Sequence, residues 1–123
     1  MLDNIEFRVC NRGNIPEIEN IEQTCFATDA WSHDFITYAL GIFLVTGLFY
    51  RDEMIGYGAC HNRGRFLYID NLAILPSYRN RGFGTLFMRY FFRIAMEKNC
   101  TGALLQVNIN NSSAIAMYQK IGF

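Results

Sequence analysis

Asp70-Asn-Leu-Ala-Ile-Leu-Pro-Ser-Tyr-Arg-Asn-Arg-Gly-Phe-Gly-Thr85 decides the fold of this chain. The apolar run Leu67 to Leu75 reads as a strand entering a turn that contains Pro76. A loop with two arginines and two glycines follows, and a long apolar helix starts near Gly84 or Thr85. Strand, glycine loop and helix start is an arrangement suited to phosphate-bearing ligands. The first N–H groups of a helix lack internal partners, and the helix dipole places partial positive charge there. Gly82 and Gly84 leave room for an anion where a Cβ would intrude. Arg79 and Arg81 add donors matched to phosphate oxygens. The loop is neither a dinucleotide fingerprint, which needs a third glycine, nor a P-loop, which ends in Gly-Lys-Ser/Thr. Taken alone it is equally readable as a polar turn with helix-start glycines.

The totals narrow the field. With 123 residues, 51% of them hydrophobic and 15% aromatic, one domain with a real core is expected, not disorder. Lys+Arg and Asp+Glu balance at 11 each, so no overall field favours nucleic acid or an anionic membrane. Cys10, Cys25, Cys60 and Cys100 are widely spaced, without the pairing expected of a zinc site or a disulfide framework. Free thiols in a cytoplasmic protein are the expectation. The N-terminus is no signal peptide, and the most apolar run, Ala39 to Tyr50, is too short to span a bilayer.

Along the chain, Ile5 to Cys10 alternates as a half-buried strand. Asn14 is read as the cap of an amphipathic helix reaching about Cys25, with Ile15, Ile18 and Ile21 inward and Glu17, Glu19 and Glu22 between them. Ser32 caps a second helix. Ile42 to Tyr50, Met54 to His61 and Phe66 to Leu75 form an antiparallel meander, in which Gly56 and Gly58 mark a bulge or close backbone approach. In the helix after the loop, Thr85, Arg89, Arg93 and Glu97 form a polar stripe, with Arg93 and Glu97 placed to pair. Leu104 to Ile109 is a further strand, parallel to the one before the loop because a helix connects them. A last helix, Ala114 to Ile121, ends at Gly122. The order is β-α-α-β-β-β-α-β-α, an α/β fold with a mixed sheet.

Two segments resemble one family. Arg79-Asn-Arg-Gly-Phe-Gly84 is similar to the Arg/Gln-x-x-Gly-x-Gly/Ala pyrophosphate loop of the GNAT N-acetyltransferase superfamily. Residues 105–123 resemble its Asn-x-x-Ala-x-x-x-Tyr-x-x-x-Gly-Phe segment. Ile21-Glu22, Phe26, Trp31-Ser32, Phe35 and Leu40 look like the branch that acetylates N-terminal α-amines of ribosomal proteins. The resemblance implies one acetyl-CoA-binding acetyltransferase domain over residues 1–123, with acetyl-CoA and an amine as its ligands and no metal. Leu72, Ala73 and Ile74 match the bulged strand whose backbone receives the acetyl and pantetheine parts. Arg79, Asn80, Arg81, Gly82, Phe83, Gly84 and Thr85 match the diphosphate cradle. Asn111 matches the residue at the pantetheine arm, and Tyr118 the acid for the departing thiolate. The resemblance also implies that the fourth and fifth strands splay around the ligand. Taken alone, Tyr118 reads as a core tyrosine and Asn111 as a helix-start residue.

Direct transfer needs donors near the developing oxyanion and an acid for the thiolate, and a neutral tyrosine hydroxyl can donate at pH 7. No cysteine lies in either segment, so a covalent acetyl-enzyme is not suggested. The α-amine branch usually places a glutamate base in the fifth strand, where this chain has Gln106. The resemblance implies Asp70 as the substitute, since a carboxylate near this position often faces the acceptor in the family; taken alone Asp70 reads equally as an ordinary strand-face polar residue, and His33, Asp34, Glu53 and His61 are weaker candidates. The family's usual last two strands do not follow Phe123, so an exposed fifth strand is expected, with a homodimer contact or poor solubility as its consequence. Two function classes stand at this point: an N-acetyltransferase acting on a protein α-amine or a small amine, and a CoA-binding module or subunit without catalysis.

Overall fold

The computed structural model describes residues 4–105. Its strands are β1 (Ile5–Val9), β2 (Leu44–Tyr50), β3 (Glu53–Arg63), β4 (Phe66–Ile74) and β5 (Gly102–Leu105). Its helices are α1 (Ile15–Phe26), α2 (His33–Ile42) and α3 (Phe83–Glu97). The strands form one mixed sheet in the order β1-β2-β3-β4-β5. The first four are antiparallel neighbours, and β5 runs parallel to β4 from Phe66↔Gly102 to Ile69↔Leu105. The α/β class, the meander and the parallel crossover are as the sequence predicts. The expected last helix, the strand beyond Leu105 and any splay of β5 from β4 lie outside the described residues.

Side-chain alternation gives the sheet two apolar faces. On one, Leu48, Ile55, Cys60, Leu67 and Ile69 meet Phe87, Met88, Phe91 and Ile94 of α3. On the other, Val45, Phe49, Met54, Tyr57 and Ala73 meet Ile15, Ile18 and Ile21 of α1 and Ile36 of α2. Burial of a large apolar side chain contributes about 1.5–3 kcal/mol, so these two layers hold the helices in place. Gly58 allows a close approach of α3: a Cβ there would lie 2.6 Å from Phe91 Cζ and 3.0 Å from Phe87 Cε1. Cys60 sits in the same layer, fully buried, and burial together with the Asp70 charge pushes its thiol up to about 12.

Four details depart from the expectation. α2 continues through Ile42, and the Phe43 amide donates to Ala39 O at 2.8 Å, so β2 starts only at Leu44. Asn14 does not cap α1, because its side-chain oxygen accepts the Asn11 amide at 3.0 Å. Asn11 caps a 3₁₀ turn (Arg12–Asn14) instead, and that turn leads into α1. Arg93 and Glu97 form no ion pair and remain exposed. β5 begins at Gly102, two residues before the predicted strand. The Ser32 hydroxyl does cap α2, accepting the Phe35 amide at 3.1 Å.

A bulge in β4 controls the site. Ala59 pairs with Asn71 and Cys60 with Ile69, which leaves Asp70 as the extra residue. Ile69 and Leu72 pack against the α3 layer. The consecutive side chains of Asp70 and Asn71 both reach partners on the α1–α2 side, His61 and Tyr57 respectively. A regular strand would have sent them to opposite faces.

Candidate active site

β4 runs into a short 3₁₀ turn (Pro76–Tyr78), then the loop, then α3. Gly82 occupies the N-cap of α3 with φ +86°, a left-handed conformation natural to glycine. Asn80, at φ +63°, is the other left-handed residue of the loop. A Cβ on Gly82 would point into open space, with no atom within 4 Å. Gly82 O accepts the Leu86 amide, so the helix starts here, and no described residue accepts a bond from the amides of Phe83, Gly84 and Thr85. These three amides, at the positive end of a 15-residue helix, suit a diphosphate.

The loop's side chains also make contacts within the fold. Arg79 Nε donates to Ile74 O at 3.0 Å, tying the loop back to β4. The Arg81 guanidinium lies over the Tyr78 ring, 5.3 Å from its centre. Phe83 turns its ring toward Tyr50 and Tyr78, so only its main chain faces the loop opening. The amides of Phe83, Gly84 and Thr85 thus stand without a described acceptor, while Arg79 and Arg81 each make a contact within the loop. Gly82→Ala tests this. The forced left-handed alanine is expected to cost about 1 kcal/mol in unfolding free energy. Its methyl, standing in open space at the N-cap of α3, is expected to weaken binding of a diphosphate ligand by about tenfold. Thermal melts and isothermal titration measure the two effects.

Leu72, Ala73 and Ile74 form the end of β4. The Leu75 amide bonds across to Ile55 O at 2.8 Å, so alternate residues Leu72 and Ile74 turn their main chain to the edge that faces β5. The Leu72 amide donates to Asn71 Oδ1 at 3.0 Å, and Ile74 O accepts from both Arg79 and the Cys25 thiol. No described strand pairs with this edge beyond Ile69.

On the α1–α2 face, Asp70 Oδ2 lies 2.7 Å from His61 Nδ1, with both side chains about a fifth to a quarter exposed. A carboxylate only accepts, so His61 Nδ1 carries the shared proton. His61 is stacked between Phe43, at 5.1 Å, and Tyr68, at 5.3 Å, which fixes its ring. Of the weaker candidates, His33 pairs with Glu19 on the surface, and Asp34 and Glu53 are exposed. Asn111, Tyr118 and Gln106 lie outside the described residues. Among the described residues, no group of three His, Cys, Asp or Glu is placed to hold a metal ion, and no helix is long and apolar enough to cross a membrane.

Glu22, expected among the acidic residues between the inward isoleucines, is instead buried. It is fully buried and receives bonds from the Trp31 amide, the Tyr57 hydroxyl and the Asn71 side chain. Helical arithmetic carries the signal. At about 100° per residue, Glu22 falls between Ile15 and Ile18 on the inward face of α1.

Known proteins share this fold. The family model described as Acetyltransferase (GNAT) family matches residues 14–123. N-alpha-acetyltransferase 50 of Danio rerio is 32% identical over 117 residues, which is 89% of this chain and 68% of that protein. Other curated relatives match over 44% of their own length. The ribosomal-protein-S18-alanine N-acetyltransferase of Escherichia coli has a TM-score of 0.87 at 21% identity, covering 96% of this chain and 76% of that one. The PaiA N-acetyltransferase of Thermoplasma acidophilum, solved in complex with coenzyme A, has a TM-score of 0.82 at 18% identity, covering 97% and 89%. With a family match over nearly its whole length, and the glycine loop and strand bulge within the matched residues, this chain belongs to the acetyltransferase (GNAT) family.

Proposed function

We propose that this chain transfers the acetyl group of acetyl-CoA to a primary amine by direct attack in a ternary complex. The observation that carries the reading is the open, amide-lined loop at Gly82–Thr85 on the same strand-to-helix unit as Asp70, whose partner is His61 of the neighbouring β3. Acetyl-CoA would supply a thioester-activated acyl group and a thiolate leaving group. The amides of Phe83, Gly84 and Thr85 would hold its diphosphate, Leu72–Ile74 its acyl and pantetheine end, and Asn111 the pantetheine arm. Asp70 takes the proton of the attacking amine, with His61 orienting the carboxylate. Tyr118 returns a proton to the thiolate. Gln106 has no basic atom and takes no part in proton transfer.

The acceptor follows from the strength of the base. An α-amine of pKa about 7.8 gives up its proton at pH 7 for roughly 1 kcal/mol, whereas a lysine at about 10.4 costs nearly 5. A single carboxylate suits the α-amine. The test is isothermal titration with acetyl-CoA, followed by CoA release across peptides and small amines. The expected result is binding, with faster release on α-amine peptides than on peptides whose N-terminus is blocked. No binding at millimolar acetyl-CoA would remove the reading. Binding without release on any amine would leave a CoA-binding module.

A further inference from the structure

Glu22 has no part in the proton transfers above, yet it is the one carboxylate among the described residues that is fully buried. Each of its hydrogen-bond partners is a donor. The Trp31 amide donates to Oε1 at 2.6 Å. The Tyr57 hydroxyl and Asn71 Nδ2 donate to Oε2 at 2.5 and 2.7 Å. Burial and the Glu22 charge both push the Tyr57 hydroxyl up, so it stays protonated and keeps donating. Asn71 also donates to the Tyr57 oxygen, and its own oxygen accepts the Leu72 amide.

These bonds join three parts of the molecule. Trp31 belongs to the segment between α1 and α2. Tyr57 lies in the middle of β3. Asn71 is in the β4 bulge, next to Asp70 on one side and Leu72 on the other. The Trp31 ring rests edge-on against Phe35 and Tyr57, at 4.7 and 6.3 Å, so its position depends on where the Trp31 amide is held. A buried carboxylate is costly to desolvate, and a purely structural tie is made more cheaply with apolar residues.

We infer that Glu22 is a positioning residue that fixes the α1–α2 segment, through the Trp31 amide, onto the bulge that carries Asp70, and so sets the geometry of the amine site. The consequence for catalysis rests on the transfer reading above, while the tie itself does not. Gln at position 22 keeps the shape but cannot keep all three bonds. With its NH₂ toward Trp31, two N–H donors face each other. With its NH₂ toward Asn71, that amide must turn over and abandon Leu72, or else two donors meet there.

Trp31 is the only tryptophan in the chain, so its fluorescence reports the segment directly. The experiment compares the wild-type chain with Glu22→Gln and Tyr57→Phe, after melting curves establish that each variant is folded at the assay temperature. In Glu22→Gln, acrylamide quenching of Trp31 is expected to rise by about twofold or more. The amine KM is expected to rise about tenfold, with kcat changing less and the acetyl-CoA Kd staying within about twofold. Tyr57→Phe, which leaves the carboxylate two of its three donors, is expected to move quenching in the same direction by less. If Glu22→Gln does not fold, Tyr57→Phe alone decides: increased quenching supports the tie, and unchanged quenching overturns it. A folded Glu22→Gln with wild-type quenching, or with lost kcat and unchanged amine KM, overturns the proposal. If the wild-type chain acetylates no amine, the transfer reading fails by itself, and the quenching comparison still decides the tie.

Discussion

Replacing Asp70 by Asn is expected to slow acetyl transfer to an α-amine by about 10²-fold or more, the usual cost of losing a general base. Acetyl-CoA affinity is expected to stay within about twofold, because the diphosphate loop is untouched. The introduced asparagine has the shape of Asp70, and its amide oxygen can still accept from His61 Nδ1, so a loss of rate reports lost basicity and not a collapsed bulge. CoA release measured against isothermal titration separates the two quantities. Unchanged turnover would move the base elsewhere on this face. His61→Gln distinguishes orientation from basicity: it keeps a donor for Asp70, so it is expected to cost less than Asp70→Asn.

Gly58→Val is expected to cost about 3 kcal/mol or more in unfolding free energy, at the top of the range for overpacking. The melting temperature should fall by roughly 10 °C or more. The first atom of the new side chain would lie 2.6 Å from Phe91 Cζ, and Phe87 closes the other side at 3.0 Å. Both rings are fully buried and stacked on one another, with centroids 5.0 Å apart, so neither has free space to move into. The cause can be checked by coupling. Phe91→Leu should be less damaging in a Gly58→Ala background than in the wild type, with a coupling of about 1 kcal/mol. Strict additivity would mean that the glycine is needed for some other reason.

What could be read from the residues, and what could not, divides along physical lines. The α1 stripe, the Ser32 cap, the meander and the glycine loop are local: each depends on spacing within a few residues, and each is where the sequence puts it. Asp70 is a candidate through the family resemblance, since its place in an apolar strand reads equally as an ordinary polar face, and its partner His61 belongs to another strand and depends on pairing register. The bulge has no local signature. It arises because β3 and β4 differ by one residue between their paired positions, and it alone brings Asp70 and Asn71 to one face. β2 starts two residues after the expected Ile42 because Ala39 to Tyr50 is almost wholly apolar, so helix and strand periods are indistinguishable there. The bond from Arg79 Nε to the Ile74 carbonyl has no signal in the sequence, because it depends on how the loop folds back on β4. Glu22 was grouped with its solvated neighbours because acidic residues are seldom fully buried, and only a partner set drawn from Trp31, Tyr57 and Asn71 makes its place tolerable.

The un-ionised thiol of Cys60 gives the molecule an internal clock. Alkylating reagents attack thiolate, and this sulfur is neither ionised near neutral pH nor within reach of solvent. It packs beneath α3, so in a chain whose other three cysteines are replaced, the labelling rate counts the openings that bring it to solvent. A ligand seated at the head of α3 would slow the clock by the share of its binding energy that clamps the helix down.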